Sequence, residues 1–295
     1  MKIIQRRKIF FVISGTICLI SIISIILWGF NFGIDFKGGT LIELSFKDSR
    51  PETQKITQSL ESLELGTLNI QPVEEKDLIV RLKSITEEDH QKIIANLKKN
   101  FEFQEKRFES IGPVIGQELK TKTFYSIVLA LIGMVLYIAW AFWKVSKPVT
   151  SWKYGVIAII ALFHDILIAV GLFVVLGHFL KVEINAYFVA ALLTILGYSV
   201  NDTIVIFDRT RENLLHRTSQ EFEETVNRSV NENIIRSLNT SLTTLFVLLA
   251  VYFLGGETIK YFVLALIFGV MIGTYSSIFI ASPLLVVWQR LSMRR

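Results

Sequence analysis

The chain has 295 residues, of which 52% are apolar and 19% are charged, and its formal net charge is +5. Soluble domains contain nearly as many apolar residues, but here these residues are gathered in long runs, which indicates a membrane protein. Basic residues on the cytosolic side of such a protein explain the positive charge better than nucleic-acid binding does. The only cysteine, Cys18, lies in the first apolar run, so no intrachain disulfide can form.

Six apolar runs are long enough to cross a bilayer, which requires about 20 residues of α-helix. The first run, Ile9 to Phe30, is too long for the apolar part of a signal peptide, and no small-residue cleavage site follows it. We therefore predict that it is retained as a membrane helix. The predicted spans are 9–30, 124–143, 154–177, 187–207, 234–254 and 261–288. The predicted fold class is a polytopic α-helical membrane protein with six transmembrane helices.

The distribution of Lys and Arg predicts the orientation in the membrane. Basic residues cluster before span one, between spans two and three, around the connection of spans four and five, and after span six. The two short loops on the other side carry only Lys181 and Lys260. Because basic residues favour the cytosolic side, we expect a multi-pass protein of the cell inner membrane with both termini in the cytosol.

This orientation divides the chain into three parts. Residues 1–30 are the cytosolic N-terminus and the first transmembrane helix, residues 31–123 are extracytoplasmic (periplasmic), and residues 124–295 hold the remaining helices and a cytosolic loop at 208–233. In that loop, apolar residues recur at helical spacing. This spacing predicts an amphipathic helix on the inner leaflet, and a solvated helical hairpin explains it equally well.

Residues 31–123 have the pattern of a small α+β domain. Predicted strands cover 40–46, 68–73, 78–82 and 101–108, and predicted helices cover 51–65 and 86–100. Thr86 and Asp89 have the spacing of a capping box at the start of the second helix. The order β-α-β-β-α-β is that of a ferredoxin-like domain. We find no His/Cys cluster, nucleophile motif or Gly-rich phosphate loop in its sequence, which favours a binding or lever module over an enzyme.

Ionisable residues inside membrane spans are costly and indicate function. His164 and Asp165 lie in the middle of span three, Asp202 follows Asn201 near the cytosolic end of span four, and Arg236 lies at the same end of span five. Because spans four and five are antiparallel, Asp202 and Arg236 lie at similar depth and are close enough in depth to pair. His164 is better explained as a polar neighbour than as a relay, and the alternative for Arg236 is an arginine that reaches the lipid headgroups.

Polar residues also form one stripe on each of spans four and five. We predict that the two stripes face each other and make a route for a small cation. The alternative is that the threonines, and the glycine pair Gly269 and Gly273, only pack helices together. The stripes comprise Thr194, Tyr198, Asn201 and Asp202 on span four, and Arg236, Asn239, Thr240, Thr243 and Thr244 on span five.

Several motifs resemble those of the SecD/SecF family of protein-export membrane proteins, part of the resistance–nodulation–division-like superfamily. GYSVNDT at 197–203, followed by DRTREN at 208–213, resembles the SecF branch more closely than the SecD branch. The other motifs are GIDFKGG at 33–39, SIGPVIG at 110–116, ALFHD at 161–165 and RSLNTSLTT at 236–244. They occur in the order expected for the family.

The resemblance implies a subunit that works with SecD and uses a proton or sodium gradient to promote the late, outward movement of preproteins through SecYEG. SecA, which hydrolyses the ATP, YajC and membrane lipid are further expected partners, and nucleic acid is not one. No enzymatic activity, metal or cofactor other than the coupling ion is expected. The implied ion-coupling residues are Asp202, Arg236, Asp165, Asn201 and Thr240, and the implied junction between helix and domain is Gly33, Asp35, Gly38 and Gly39.

Two other functions remain open from the sequence. A small-molecule or lipid exporter of the superfamily is expected to have twelve spans and two large outer domains, which the single small domain here argues against. A scaffold that stabilises the translocon without transporting an ion is the second alternative. It predicts that Asp202 and Arg236 can be replaced without loss of function.

Overall fold

A computed structural model describes residues 1–47, 49–61, 63, 65–66, 68–73, 75–141, 150–216 and 221–293. The chain forms two compact units. One comprises Phe32–Tyr125 and is called the sheet unit; the other comprises Met1–Asn31 with Ser126–Arg295 and is called the helical unit. Some basic residues that support the predicted orientation lie outside the described residues: Lys144, Lys147, Arg217, Arg294 and Arg295.

The helices and strands follow the predicted order. The helices are α1 (Arg7–Trp28), α2 (Ile34–Lys37), α3 (Thr53–Glu61), α4 (Glu87–Lys98), α5 (Pro113–Ala141), α6 (Ser151–Leu180), α7 (Ala186–His216), α8 (Phe222–Leu254), α9 (Glu257–Ser276) and α10 (Ser282–Met293). The strands are β1 (Gly39–Phe46), β2 (Asn69–Val73), β3 (Asp77–Leu82) and β4 (Phe103–Ile111). A short 3₁₀ turn, Ile4–Arg6, precedes α1, and a π turn, Ser277–Ala281, connects α9 to α10.

Six helical segments of the described chain are long and apolar enough to cross a membrane, which confirms the predicted number. They comprise α1, α5, α6, α7, α8 and the continuous segment of α9, the π turn and α10. In the π turn, the Ser282 hydroxyl donates to the carbonyl of Ser277 at 3.0 Å. Such turns occur mostly as single interruptions of α-helices and often lie at functional sites.

The predicted loop at 208–233 is mostly helical, because α7 continues to His216 and α8 already begins at Phe222. No separate helix lies between them in the described residues, so the hairpin is the better of the two interpretations. The hairpin forms because its regularly spaced apolar residues pack against the neighbouring helix, where Val226 and Val230 are fully buried. The amide of Asn213 adds hydrogen bonds to Ser229 and Glu232 across the hairpin.

The start of the chain is held against this hairpin. The backbone N–H groups of Ile3 and Ile4 donate to the side-chain oxygen of Asn227, at 3.0 and 3.2 Å. Arg7 forms an ion pair with Glu223 at 2.9 Å, and Arg290 at the other end of the chain contacts the same carboxylate. We call the region around Arg7, Glu223 and Arg290 the basic end of the helical unit.

The sheet unit has a four-stranded antiparallel sheet in the order β2-β3-β1-β4. Alternate residues of β1, such as Ile42 and Leu44, are fully buried against α3 and α4, which contribute Leu60 and Leu97 to the same core. The predicted cap of α4 by Thr86 is confirmed. The Thr86 hydroxyl accepts from the Asp89 N–H at 3.3 Å and lies 3.0 Å from its carboxylate.

Candidate ion-coupling site

Asp202 lies on α7 at the contact with α8 and is half-buried. One carboxylate oxygen, Oδ1, accepts a hydrogen bond of 2.8 Å from the hydroxyl of Ser237 on α8. The other oxygen, Oδ2, is buried and has no hydrogen-bond partner among the described residues. A buried carboxylate oxygen without a donor is costly and rare in folded proteins. Asp202 is therefore only half satisfied by this chain.

Arg236 precedes Ser237 on α8, and its side chain is exposed. Its charge is close enough to act on Asp202, but within the described part of the chain no ion pair joins the two residues. The pairing inferred from depth is therefore not present in this structure. Ser237 takes the position opposite Asp202, because it lies one residue further around the helix.

The predicted stripe on span five does not face span four. The hydroxyl of Thr240 donates to the carbonyl of Arg236 in its own helix at 3.0 Å, and Thr243 and Thr244 also bond to their own helix. Asn239, Thr240 and, on α7, Asn201 are exposed. The prediction of two facing stripes is therefore wrong for the threonines, which lie on the surface of this chain.

Serines make the interhelical contacts instead, and sequence reasoning missed them. Ser241 lies one turn after Ser237 on α8, and its hydroxyl is 3.2 Å from Tyr198 on α7 and 2.5 Å from Thr274 on α9. Small residues spaced four apart are typical of close helix contacts in membranes. That spacing of Ser237 and Ser241 was the signal available in the sequence.

Asp165 on α6 is almost completely enclosed, with 1% of its surface exposed. Its Oδ2 lies 2.5 Å from the hydroxyl of Ser199 on α7 and 2.7 Å from that of Ser276 on α9. Its Oδ1 lies 2.8 Å from Nδ1 of His164. Three membrane helices therefore meet at one carboxylate. Sequence reasoning found Asp165 and His164 but missed both serines, whose spacing gives no separate signal.

The contact between α7 and α9 depends on glycines. A Cβ atom at Gly269 would lie 2.1 Å from the side chain of Ile195, and one at Gly273 would lie 2.9 Å from Cβ of Ser199. The predicted packing role of this glycine pair is confirmed. One turn further along, the hydroxyls of Thr203 and Ser277 are 2.7 Å apart. Close packing therefore brings Ser276 and Ser277 within reach of α6 and α7.

The junction motif lies in the sheet unit. Gly38 has φ +75° and Gly39 has φ +134°, both in the region that favours glycine. A Cβ at Gly38 would lie 2.8 Å from Cα of Pro113, and one at Gly116 would lie 2.8 Å from the backbone nitrogen of Gly38. The glycines thus allow the chain before β1 to touch the start of α5. Gly33 caps the short helix α2, and Asp35 lies in its first turn.

Within the described residues, no group of three or more His, Cys, Asp and Glu side chains is arranged to hold a metal ion. The polar groups described above include the carboxylates of Asp165 and Asp202, the imidazole of His164 and a set of hydroxyls, and both carboxylates lie in candidate membrane spans. Such groups can bind and release small cations. Fold and site together define a multi-pass membrane protein with two carboxylates inside its helical bundle.

The chain belongs to the SecD/SecF family of protein-export membrane proteins. A family model described as "Protein export membrane protein SecD/SecF, C-terminal" matches residues 90–291, and a second, "SecD/SecF GG Motif", matches residues 24–49. The protein translocase subunit SecF of Thermobaculum terrenum is 44% identical, with 97% of this chain and 93% of the relative covered. That of Anaerolinea thermophila is 34% identical, with 98% and 94% covered.

Solved structures give the same result. The crystal structure of SecDF from Thermus thermophilus matches with a TM-score of 0.85 and 32% identity, covering 97% of this chain and 38% of that chain. SecDF in a super-membrane-facing form matches with a TM-score of 0.71 and 30% identity, covering 100% and 39%. The chain thus spans less than two fifths of these structures. The resemblance inferred from the motifs is confirmed, and the chain is a multi-pass inner-membrane protein.

Proposed function

We propose that this chain is the SecF-type subunit of an ion-driven machine that promotes the late, outward movement of exported polypeptides through SecYEG. Family membership supports a role in Sec-dependent protein export. The coupling of an ion gradient to that export is the further step, and Asp202 is the residue to which we assign it. SecD is the proposed partner, because the matching structures hold more than twice the length of this chain.

The unpartnered Oδ2 of Asp202 is the observation that carries this proposal. A carboxylate held by one hydrogen bond inside a membrane span has an open position for a proton or a sodium ion. Exposed polar residues in the same stretches of α7 and α8 include Asn201, Arg236 and Thr240. Polar groups that face lipid are costly, so a membrane protein is expected to cover them with another protein surface. A SecD-type partner completes this site.

The mechanism follows from the charge of Asp202. When the carboxylate is ionised, it is attracted to Arg236 and accepts from Ser237. Binding of a cation neutralises it, which removes the attraction to Arg236 and allows α7 and α8 to repack against the partner. One elementary charge that crosses the membrane with the field supplies about 2.3 kcal/mol per 100 mV. Asn201 and Thr240 contribute polar atoms beside this position.

Orientation is part of the proposal. The basic end collects Arg7, Arg290 and the hairpin of α7 and α8, and such ends face the cytosol. In a Cys18→Ala background, Gln58→Cys in the sheet unit is expected to react with a membrane-impermeant maleimide in intact cells. Leu215→Cys, which is exposed in the hairpin, is expected to react only after lysis. The reverse pattern would place the sheet unit in the cytosol and reject this orientation.

Export of a secreted reporter tests the assignment of Asp202, in cells whose only copy carries Asp202→Asn. We expect export to fall to the level of a deletion while the variant stays in the membrane and associated with its SecD-type partner. Asp208→Asn is the matched control, because Asp208 is an exposed carboxylate on the same helix and pairs with Arg211 at 3.6 Å. Normal export by Asp202→Asn would reject ion coupling at this residue and favour the scaffold.

A further inference from the structure

We propose that Asp165, Ser199 and Ser276 form a second ion site that binds a proton and excludes sodium. The site joins α6, α7 and α9 and is separate from Asp202, which bonds to Ser237 on α8 instead. The role of this proton in export rests on the proposed ion coupling. The existence and the selectivity of the site rest on the geometry alone.

Both oxygens of the ionised carboxylate have hydrogen-bond donors among the described residues. Ser199 and Ser276 donate to Oδ2 at 2.5 and 2.7 Å, and Nδ1–H of His164 donates to Oδ1 at 2.8 Å, which assigns the proton of this imidazole to Nδ1. Three donors therefore stabilise the carboxylate when it is ionised.

The protonated carboxyl also has a hydrogen-bond partner. The hydroxyl of Ser276 is also 3.1 Å from the carbonyl oxygen of Gly273 in its own helix. If Oδ2 carries a proton, it donates to Ser276, and the Ser276 hydrogen rotates to the Gly273 carbonyl. Because hydroxyl hydrogens rotate freely, a proton can bind without movement of any heavier atom. Ser276 is therefore the group that adapts to the charge of Asp165.

Sodium does not fit the same position. Membrane proteins coordinate sodium with several oxygen atoms, commonly carbonyls freed where helices are unwound. Here α6 and α7 run without interruption past Asp165 and Ser199, so their carbonyls are used within the helices. The Gly273 carbonyl accepts from the hydroxyls of Ser276 and Ser277. With Asp165 only 1% exposed, an ion larger than a proton would have to push the three helices apart.

Few other titratable groups face this carboxylate. On its own helix it meets His164, whose Nε2 is buried with no partner in the described residues. A proton placed there would leave a charged N–H without an acceptor, which is unfavourable in a membrane interior. On α1 the thiol of Cys18 is near enough to interact with Asp165. On α7 and α9 the facing groups are the serines, so Asp165 is the group that takes the proton.

This position couples the proton to the sixth span. Ser276 is the last residue before the π turn Ser277–Ala281, and the Ser277 hydroxyl bonds to the same Gly273 carbonyl. A change in the hydrogen bond of Ser276 therefore acts where the helix changes its winding. Protonation of Asp165 thus changes the acceptor of the Ser276 hydroxyl, next to the π turn.

Infrared difference spectroscopy of the full chain in liposomes tests the proposal. We expect a protonated-carboxyl band that titrates with pH, disappears in Asp165→Asn and moves in frequency in Asp165→Glu. Its midpoint is expected to be the same in sodium and potassium buffers. A midpoint that moves to lower pH as sodium increases would show competition and overturn the proposal. The absence of any band that depends on Asp165 between about pH 4 and 10 would also overturn it.

Serine variants test the assigned partners. Ser199→Ala removes a donor to the ionised form, so the band is expected to persist to a pH about one unit higher. Ser276→Ala removes a partner of both forms, so a smaller change of midpoint is expected. Ser282→Ala is the matched control, because Ser282 is equally buried but bonds to the Ser277 carbonyl. Equal midpoints in all three variants would reject the serine assignment.

The two proposals fail separately. If Asp202→Asn exports normally while the Asp165 band behaves as expected, ion coupling at Asp202 fails and the proton site stands. If the Asp165 band responds to sodium while Asp202→Asn abolishes export, the proton site fails and ion coupling at Asp202 stands.

Discussion

Asp165 and Asp202 are both carboxylates in membrane-spanning helices, but the chain surrounds them differently. Asp165 is 1% exposed and receives donors on both oxygens from within the chain. Asp202 is half-buried, receives one donor and has a second oxygen without a partner among the described residues. Within the described residues, the first carboxylate has donors on both oxygens, whereas the second has a donor on one oxygen only.

This difference suggests two kinds of work. A closed carboxylate whose donors come from three helices can hold a proton and tie those helices together. An open carboxylate beside exposed polar residues can exchange an ion with a partner surface. The predictions below test this contrast, and they run from the largest expected effect to the smallest.

Removal of each carboxylate should have unequal effects on stability. Asp165→Ala removes the acceptor of three hydrogen bonds, and at about 0.6 kcal/mol for each intramembrane hydrogen bond we expect a loss of about 2 kcal/mol. Asp202→Ala breaks a single hydrogen bond, so the expected loss is about 0.6 kcal/mol. Unfolding of the purified chain in mixed micelles with increasing dodecyl sulfate measures both. Equal losses would remove the distinction between a closed and an open site.

Association with the partner should depend on the open side only. Thr240→Leu replaces an exposed hydroxyl beside Asp202, and we expect about a threefold weaker association with a SecD-type partner, since one intramembrane hydrogen bond contributes about 0.6 kcal/mol. Thr16→Leu on α1 is the matched control, because Thr16 is also exposed and bonds to its own helix at 2.8 Å. Co-purification at graded partner levels compares them. Equal weakening by both variants would contradict a specific partner surface at α8.

The sequence predicted the parts of the fold that depend on composition and periodicity. Six spans, the β-α-β-β-α-β order and the helix cap at Thr86 all follow from patterns within a few residues of each other. For residues 208–233 the sequence does not decide between a membrane-surface helix and a hairpin, because an apolar stripe on a helix fits a lipid surface and a second helix equally well. The contact between α7 and α8 shows that the apolar stripe packs against a second helix.

The residue types at the site were predictable from the sequence, but the directions in which the helices turn these residues were not. Charged residues in spans are rare enough to be found by inspection, so Asp165, Asp202 and Arg236 were named from the sequence. Which side of α8 meets α7 depends on helix rotation, and one residue turns a helix by about 100°. Ser237 therefore contacts Asp202 in the position expected for Arg236. Ser199 and Ser276 come together only through the glycine contacts of α9.

Ser237→Ala tests the open site without changing its charge. It removes the one donor to Asp202, and we expect a partial loss of export, smaller than for Asp202→Asn, together with a changed dependence on the ion gradient. Ser229→Ala on the same helix is the control, because its hydroxyl lies in the hairpin and bonds to the Thr225 carbonyl. Export measured at graded membrane potential separates them. An unchanged dependence in Ser237→Ala would mean that this hydrogen bond does not tune Asp202.

A third carboxylate, Asp77 in the sheet unit, shows what a purely structural role predicts. Although burial opposes it, hydrogen bonds from Lys106 and Ser45 keep the pKa of Asp77 below its usual range. A pKa lower in the folded than in the unfolded state stabilises the fold above the unfolded value, and this contribution is lost as pH falls below about 4. Because Lys106 is partly exposed, we expect this contribution to stability to be less than about 1 kcal/mol.

Asp77→Asn should remove this part of the acid sensitivity, measured by circular dichroism of the sheet strands, without any response to membrane potential. If Asp77→Asn instead reduced export as Asp202→Asn does, a buried carboxylate outside the membrane spans would also affect ion coupling. The difference between Asp165 and Asp202 would then not explain which carboxylates affect export.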